Sequence, residues 1–120
     1  MLGANAFSER LWIILEQTGG SEQELRRILS AKPKVVIAAF DREFRRASDN
    51  LREIEVPDES EDALKELYAM VVSKGKGFYD HIVNHPERIL LDTNPGDPCY
   101  FGTAWSVYWD VFGEEMPGYG

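Results

Sequence analysis

The sequence contains little cysteine and little histidine. Cys99 is the single cysteine in 120 residues, and His81 and His85 are the two histidines. A lone thiol cannot form an internal disulfide, and without a nearby histidine or second cysteine it is more often a small buried hydrophobic group than a nucleophile. We therefore predict no catalytic role for Cys99. Because the first residues also lack the basic and apolar regions of a secretory signal, we expect a cytoplasmic location.

Long apolar runs are also missing. The longest one, from Val35 to Phe40, is far shorter than the roughly 18 to 20 residues that a membrane-spanning helix needs. With 43% hydrophobic residues and no repeat, linker or low-complexity tract, the chain is large enough to bury a core without disulfides or metal. We predict one compact domain over residues 1–120 and no membrane span.

Positive charge is scarce, since 13 Lys and Arg face 21 Asp and Glu and the formal net charge is −8. Such a field repels nucleic-acid phosphates and anionic lipid, and it attracts a basic protein partner. We predict no binding to nucleic acid or membranes. The alternative to a basic partner is that the acidity only maintains solubility.

Sustained strand alternation is absent, whereas helix signals are frequent. Ser8 stands at an N-cap position, with Phe7 before it and Trp12 at the position that packs on Phe7 in a hydrophobic staple. This pattern predicts a first helix over residues 9–17. Gly19 and Gly20 end it, and a capping box made by Ser21 and Glu24 opens a second short helix.

A third helix is predicted over residues 33–48, because Val36, Ile37, Phe40 and Phe44 recur at helical spacing behind Pro33. We place the charged residues of this segment on the opposite, solvated face and prefer this interpretation to a phosphate clamp. They are Asp41, Arg42, Arg45 and Arg46.

The segment 50–62 predicts a loop with an acidic tip, in which Asp58 or Ser60 caps the next helix. That helix continues in phase from residue 64 to residue 82, so we interpret Gly75 as a kink within one long helix, and Pro86 ends it. Asp97 and Gly113 bound a last helix over residues 98–112. One face of that helix carries Phe101, Ala104, Trp105, Tyr108 and Phe112. The fold class is therefore all-α, with five or six helices.

The histidines raise the question of a metal site. Two imidazoles four residues apart share one helix face and can chelate zinc or nickel, but a natural site needs a third or fourth ligand. The stretch HIVNH lacks the glutamate of an HExxH motif, although Asp80, Glu87 or Asp92 could contribute. We predict no metal and no cofactor, and we keep His81 and His85 as the alternative.

Three stretches resemble an uncharacterised bacterial family, a domain of unknown function. MVVSKGKGFYDHIVNHPERI is similar to the family's segment L-I-x-x-G-x(3)-Y-x(6)-P-[DE]-x-L, LWIILEQ resembles its F-W-x-L-I-E opening, and FGEEMP resembles its T-G-x-E-x-P end. The resemblance implies an all-α fold and no assigned activity. In the first stretch the matching residues are Val71, Val72, Gly75, Tyr79, Pro86, Glu87 and Ile89.

The first functional hypothesis is a non-catalytic protein-binding module, for example an immunity-type inhibitor of a basic toxin. Seven of the fourteen aromatic residues lie between Tyr100 and Tyr119, and exposed Trp and Tyr are enriched at binding hot spots. The candidate partner-binding residues are Trp105, Tyr108 and Trp109 on the last helix and Asp58, Glu59, Glu61 and Asp62 in the acidic loop.

Two further hypotheses remain. A small-molecule or metal-dependent enzyme would use carboxylates such as Glu16, Asp41 or Glu43, and a carboxylate on an apolar helix face would favour it. A homodimer would pack the aromatic helix against its own copy. We identify no catalytic residue from the sequence and regard an enzyme as the less favoured class.

Overall fold

The computed structural model describes residues 1–117 and shows six α-helices with no strand in that range. The helices are α1 Glu9–Gln17, α2 Glu22–Ser30, α3 Lys34–Asn50, α4 Glu61–Ser73, α5 Lys76–Asn84 and α6 Thr103–Phe112. Three short 3-10 helices accompany them at Ala4–Ala6, Leu51–Glu53 and Pro86–Arg88. The all-α prediction is confirmed. Tyr119, the last of the aromatic residues counted near the carboxyl end, lies outside the described residues.

Helix α3 is the central element of the packing. It contacts α1, α4 and α6, and α6 also packs along α2. The inner side of α3 buries Ile37, Phe40, Phe44 and Ala47. No helix within residues 1–117 is long and apolar enough to cross a bilayer.

A tyrosine of α5 connects the amino-terminal segment to the carboxyl-terminal end of α3. Tyr79 is fully buried, and its ring packs against the rings of Phe7 and Trp12, with centroid distances of 5.8 and 5.2 Å. Its hydroxyl donates to the Ala47 carbonyl at 2.7 Å and accepts from Asn50 Nδ2 at 2.8 Å. Burial raises the pKa of Tyr79 to about 12, so the hydroxyl stays protonated.

Helix α1 has the predicted bounds, and both aromatic residues of the predicted staple are buried. The indole Nε1 of Trp12 donates to the Ala4 carbonyl at 2.9 Å. Ser8 occupies the N-cap position but makes no side-chain capping hydrogen bond. The position was predicted correctly, and the cap itself was not.

The Ser21 cap on α2 is confirmed, because its hydroxyl accepts from the Glu24 backbone N–H at 3.2 Å. The return half of the capping box is missing. The Ser21 N–H donates to the Thr18 carbonyl, and the Glu24 carboxylate pairs with Arg27 instead. An ion pair within one helical turn has replaced the expected side-chain contact with the cap.

The interpretation of Gly75 as a kink inside one helix was wrong. Helix α4 ends at Ser73, and Gly75 has φ +99°, outside the helical region, as the N-cap residue of α5. A positive φ of this size is readily adopted by glycine alone. The spacing of the apolar residues stays in phase across the break because α4 and α5 each turn their apolar residues toward the core.

Helix α6 begins at Thr103 and not near residue 98. The Asp97 carboxylate accepts hydrogen bonds from the Asn94 backbone N–H at 2.8 Å and from Lys74 Nζ at 3.1 Å, so it does not cap α6. Phe101 therefore precedes the helix and is exposed, whereas the sequence predicted it within the helix, on one face with Ala104 and Tyr108. The predicted end at Gly113 is confirmed, with φ +66° and its N–H bonded to the Trp109 carbonyl.

Replacing Trp12 with alanine should lower the free energy of unfolding by about 3 to 5 kcal/mol, because the change removes a buried indole and leaves a cavity. The neighbouring Ile13 is exposed on the same helix, so Ile13→Ala should change stability by about 0.5 kcal/mol or less. Denaturant unfolding of both variants measures the difference. Equal losses in the two variants would contradict the described packing of α1.

Candidate functional site

A groove of about 620 Å³ opens between α3, α4 and the start of α6. Its lining includes the rings of Phe44, Tyr68, Phe101 and Trp105. Apolar, mainly aromatic walls with a few polar groups are typical of binding sites in proteins. The polar residues in the lining are Asp41, Arg45, Ser48, Asp49, Arg52, Lys65 and Glu115.

The polar lining on the α3 side comes from one face of α3 and from the 3-10 helix Leu51–Glu53 that follows it. Asp41, Arg45, Ser48 and Arg52 follow at intervals of four, three and four residues, the spacing that aligns side chains along a helix. Asp49 also lies on this side of the groove. The sequence already contained this stripe, but the same spacing is compatible with an ordinary solvated face, so it did not identify a groove.

Asp41 corrects the prediction of a uniformly solvated charged face. The residue is 4% exposed, and its Oδ2 accepts a hydrogen bond from Arg45 Nε at 2.8 Å. At 100° per residue Asp41 lies about 40° around the helix from Ile37, which explains its burial beside the apolar stripe. A buried carboxylate requires a cationic or hydrogen-bonding partner, and Arg45 provides one. By contrast, Arg42 is exposed, and exposed Arg46 pairs with Glu43 at 2.8 Å.

Ser48 adds an unsatisfied polar group to the same lining. Its Oγ is buried and has no hydrogen-bond partner within residues 1–117. Buried hydroxyl groups are normally bonded, so an unpaired one next to a groove marks a place where a ligand group or water can be accommodated. The hydroxyl rotates freely, and it can therefore turn toward such a group.

Arg52 connects the groove to the acidic loop. Its Nε lies 3.2 Å from Asp49 Oδ1, and its NH1 lies 2.7 Å from Glu61 Oε1. These hydrogen bonds raise the pKa of Arg52, and the Arg52 hydrogen bond lowers the pKa of Glu61. Glu61 is the first residue of α4, so the acidic loop lies beside the α3–α4 end of the groove. The other predicted acidic residues, Asp58, Glu59 and Asp62, are exposed in the same segment.

The aromatic residues of α6 divide into surface and core. Trp109 is 47% exposed, and its ring stacks on that of Trp105 with a centroid distance of 6.1 Å and an interplanar angle of 9°. Trp105 itself lines the groove. Tyr108 is 3% exposed and packs edge-on against Phe112. The structure therefore places Tyr108 in the core, away from the surface on which the sequence grouped it with the two tryptophans.

The two histidines lie near each other but are engaged in other contacts. Their rings are 5.5 Å apart, and His81 Nε2 lies 2.6 Å from Asp92 Oδ2. Arg88 binds both oxygens of the same Asp92 carboxylate. Within residues 1–117 no group of three His, Cys, Asp or Glu side chains is arranged to hold a metal ion.

The remaining candidate side chains lie apart from the groove. Glu16 is exposed in a separate cleft of about 770 Å³ between α1 and the α4–α5 junction. Cys99 is partly buried, with Sγ 3.7 Å from the Glu66 carbonyl oxygen, and burial raises the pKa of its thiol. A raised pKa disfavours the thiolate that a nucleophile needs.

Sequence reasoning missed the groove residues outside α3 and α6. Tyr68 and Lys65 come from α4, and Glu115 follows α6, so only the fold brings them to Phe101 and Trp105. Phe44 was predicted correctly on the apolar face of α3, but nothing in the sequence indicates that it also lines a groove. Trp105 and the charge spacing on α3 are the features of the groove that the sequence already indicated.

Comparison with known proteins gives no relative. No protein-family model, no curated protein and no solved structure matches this chain. The resemblance to the uncharacterised bacterial family stays a prediction, and the site is interpreted from its own geometry.

The Asp92 contacts predict a pH dependence of stability. Hydrogen bonds from Arg88 and His81 lower the pKa of Asp92 from 3.8 to about 2. A carboxyl group with a depressed pKa stabilises the fold above its unfolded pKa, and this contribution is lost as pH falls through the folded pKa. Asp92→Asn should therefore melt below the wild type at pH 5 to 7, and the difference should shrink toward pH 2.

Thermal melts at several pH values measure this difference. Asp110→Asn is the matched control, because Asp110 is an exposed aspartate on α6. A gap between wild type and Asp92→Asn that stays constant down to pH 2 would contradict the described ion pairs.

Proposed function

We propose that the protein is a non-catalytic binding module that receives a side chain of a protein partner in the groove between α3, α4 and α6. The observation that carries the proposal is the set of aromatic walls, Phe44, Tyr68, Phe101 and Trp105, next to the exposed ring of Trp109. A pocket at the centre of an aromatic surface is where binding energy concentrates in protein interfaces. We also propose that it acts in the cytoplasm, as its single cysteine leads us to expect.

The charge distribution favours a partner with a basic surface. The chain carries a formal charge of −8, and the exposed acids Asp58, Glu59 and Asp62 belong to the loop that Glu61 and Arg52 connect to the groove. An acidic field next to a desolvated contact steers a cationic partner and then holds it by apolar burial. An immunity-type inhibitor of a basic toxin is one concrete form of this function.

A second candidate is a small-molecule binder, and Asp41 is the observation that favours it. A groove of about 620 Å³ has a volume typical of ligand sites, and its lining contains a buried carboxylate. The same carboxylate is held by Arg45, which disfavours its use as a general base. The protein partner is therefore the preferred proposal, because the exposed aromatic residues and the acidic loop both extend beyond the groove.

Trp105→Ala and Trp109→Ala should each weaken partner binding by about 2 kcal/mol or more, mainly through faster dissociation. The partner is captured from the native host with the wild-type chain and purified, and its kinetics are then measured by surface plasmon resonance. Leu91→Ala is the matched control, since Leu91 is exposed but lies outside the groove. The proposal fails if Leu91→Ala weakens binding as much as the tryptophan variants, provided that circular dichroism shows all three folded.

Neutralising the acidic loop should act on a different step. A variant carrying Asp58→Asn, Glu59→Gln and Asp62→Asn keeps Glu61 and its contact with Arg52. Association should slow and lose much of its salt dependence, whereas dissociation should change little, because these exposed charges act through their long-range field. An unchanged association rate at low salt would show that the partner is not drawn in by the acidic loop.

A further inference from the structure

An apolar side chain in the groove would make no hydrogen bond with the Asp41 carboxylate. Asp41 is 4% exposed, and it lines the groove together with the aromatic walls. A charge buried to this extent must be compensated by a cation or by several hydrogen bonds. The groove therefore contains a position that needs a cation or several hydrogen-bond donors.

The donor that pairs with Asp41, Arg45, is only half-buried. Arg45 Nε lies 2.8 Å from Asp41 Oδ2, yet the Arg45 side chain is 42% exposed, whereas that of Asp41 is 6% exposed. The two partners of this ion pair thus differ in exposure, since Asp41 is buried and Arg45 is half-buried. Arg45 can leave Asp41 only if another guanidinium takes its place, because the buried carboxylate must keep its compensating partner.

The walls suit a guanidinium better than an ammonium group. Phe44, Tyr68 and Trp105 line the groove, and a planar guanidinium stacks on aromatic rings while its N–H groups bond a carboxylate. An ammonium group has a compact, strongly hydrated charge and lacks the planar fork. The net charge of the chain and the adjoining acidic loop favour a cationic group over an anionic one.

We propose that the side chain received by the groove is an arginine of the partner, and that it replaces Arg45 on Asp41. In the free protein, Arg45 occupies the position that the partner's guanidinium takes in the complex. This inference rests on the proposed function and names the residue type that the groove recognises. Asp41 binds the guanidinium, and the aromatic walls provide a stacking surface for the arginine stem and head group.

Chemical rescue tests the replacement without the partner. Arg45→Gln removes the resident guanidinium and keeps much of the side chain, and N-acetylarginine amide is the probe, with the neutral N-acetylcitrulline amide as its control. NMR titration should show the arginine probe binding Arg45→Gln at least about tenfold more tightly than the wild type, as one regained charge-assisted contact implies. The gain should be lost when Asp41→Asn is added.

Arg46→Gln is the matched control variant, because Arg46 is one residue further along α3 and pairs with Glu43 outside the groove. Its affinity for the arginine probe should equal that of the wild type. The inference is overturned if Arg46→Gln gains as much as Arg45→Gln, if the citrulline probe binds equally well, or if the gain persists with Asp41→Asn.

If Arg45→Gln does not fold, the wild-type chain decides the question. The arginine probe should then shift the Trp105 indole resonance at millimolar concentration, and the citrulline probe should not. Equal shifts by both probes would overturn the inference. Failure here leaves docking in the groove intact if Trp105→Ala weakens partner binding as predicted above, whereas unchanged partner binding by Trp105→Ala would refute the proposed function itself.

Discussion

The buried hydroxyl of Tyr79 fixes the orientation of α3, and the rest of the structure depends on that orientation. The hydroxyl donates to the Ala47 carbonyl and accepts from Asn50, both on α3, while the ring packs against Phe7 and Trp12. Losing either hydrogen-bond partner in the core would leave an unsatisfied polar group. One side chain thus holds the amino-terminal segment, α1, α5 and α3 in register.

The groove follows from this arrangement. On an ideal helix Asn50 lies about 140° around α3 from Arg45, so the side facing Tyr79 and the side facing the groove are nearly opposite. Phe44 and Ala47 occupy the interior between them. Helix α3 therefore holds its polar stripe rigidly against α4 and α6, and a rigid element presents a binding site with little entropy to lose.

Local signals predicted the parts of the fold that local physics determines. The bounds of α1, the Ser21 cap and the Gly113 terminus depend on residues within one or two turns, and all three appear as predicted. The role of Gly75 and the start of α6 were predicted wrongly because both depend on contacts between residues far apart in the sequence. Asp97 was available to cap α6, but Lys74 from the end of α4 and the Asn94 N–H bind it instead.

The candidate site was predictable only in part. Trp109 and the acidic loop were identified from residue type, and both are exposed as expected. Helical spacing places Tyr108 and Trp109 about 100° apart, but residue type did not show that Tyr108 is the ring that turns inward. Asp41 was assigned to solvent because charged residues usually lie there, and its burial depends on its position beside the apolar stripe and on Arg45.

Amide hydrogen exchange of the full chain with and without its purified partner tests the groove most directly. Slower exchange should appear in residues 41–52 of α3 and its extension and in residues 101–109, while residues 76–91 should keep their free-protein rates. Protection confined to residues 76–91, with α3 and α6 unchanged, would contradict the assignment of the groove as the binding site.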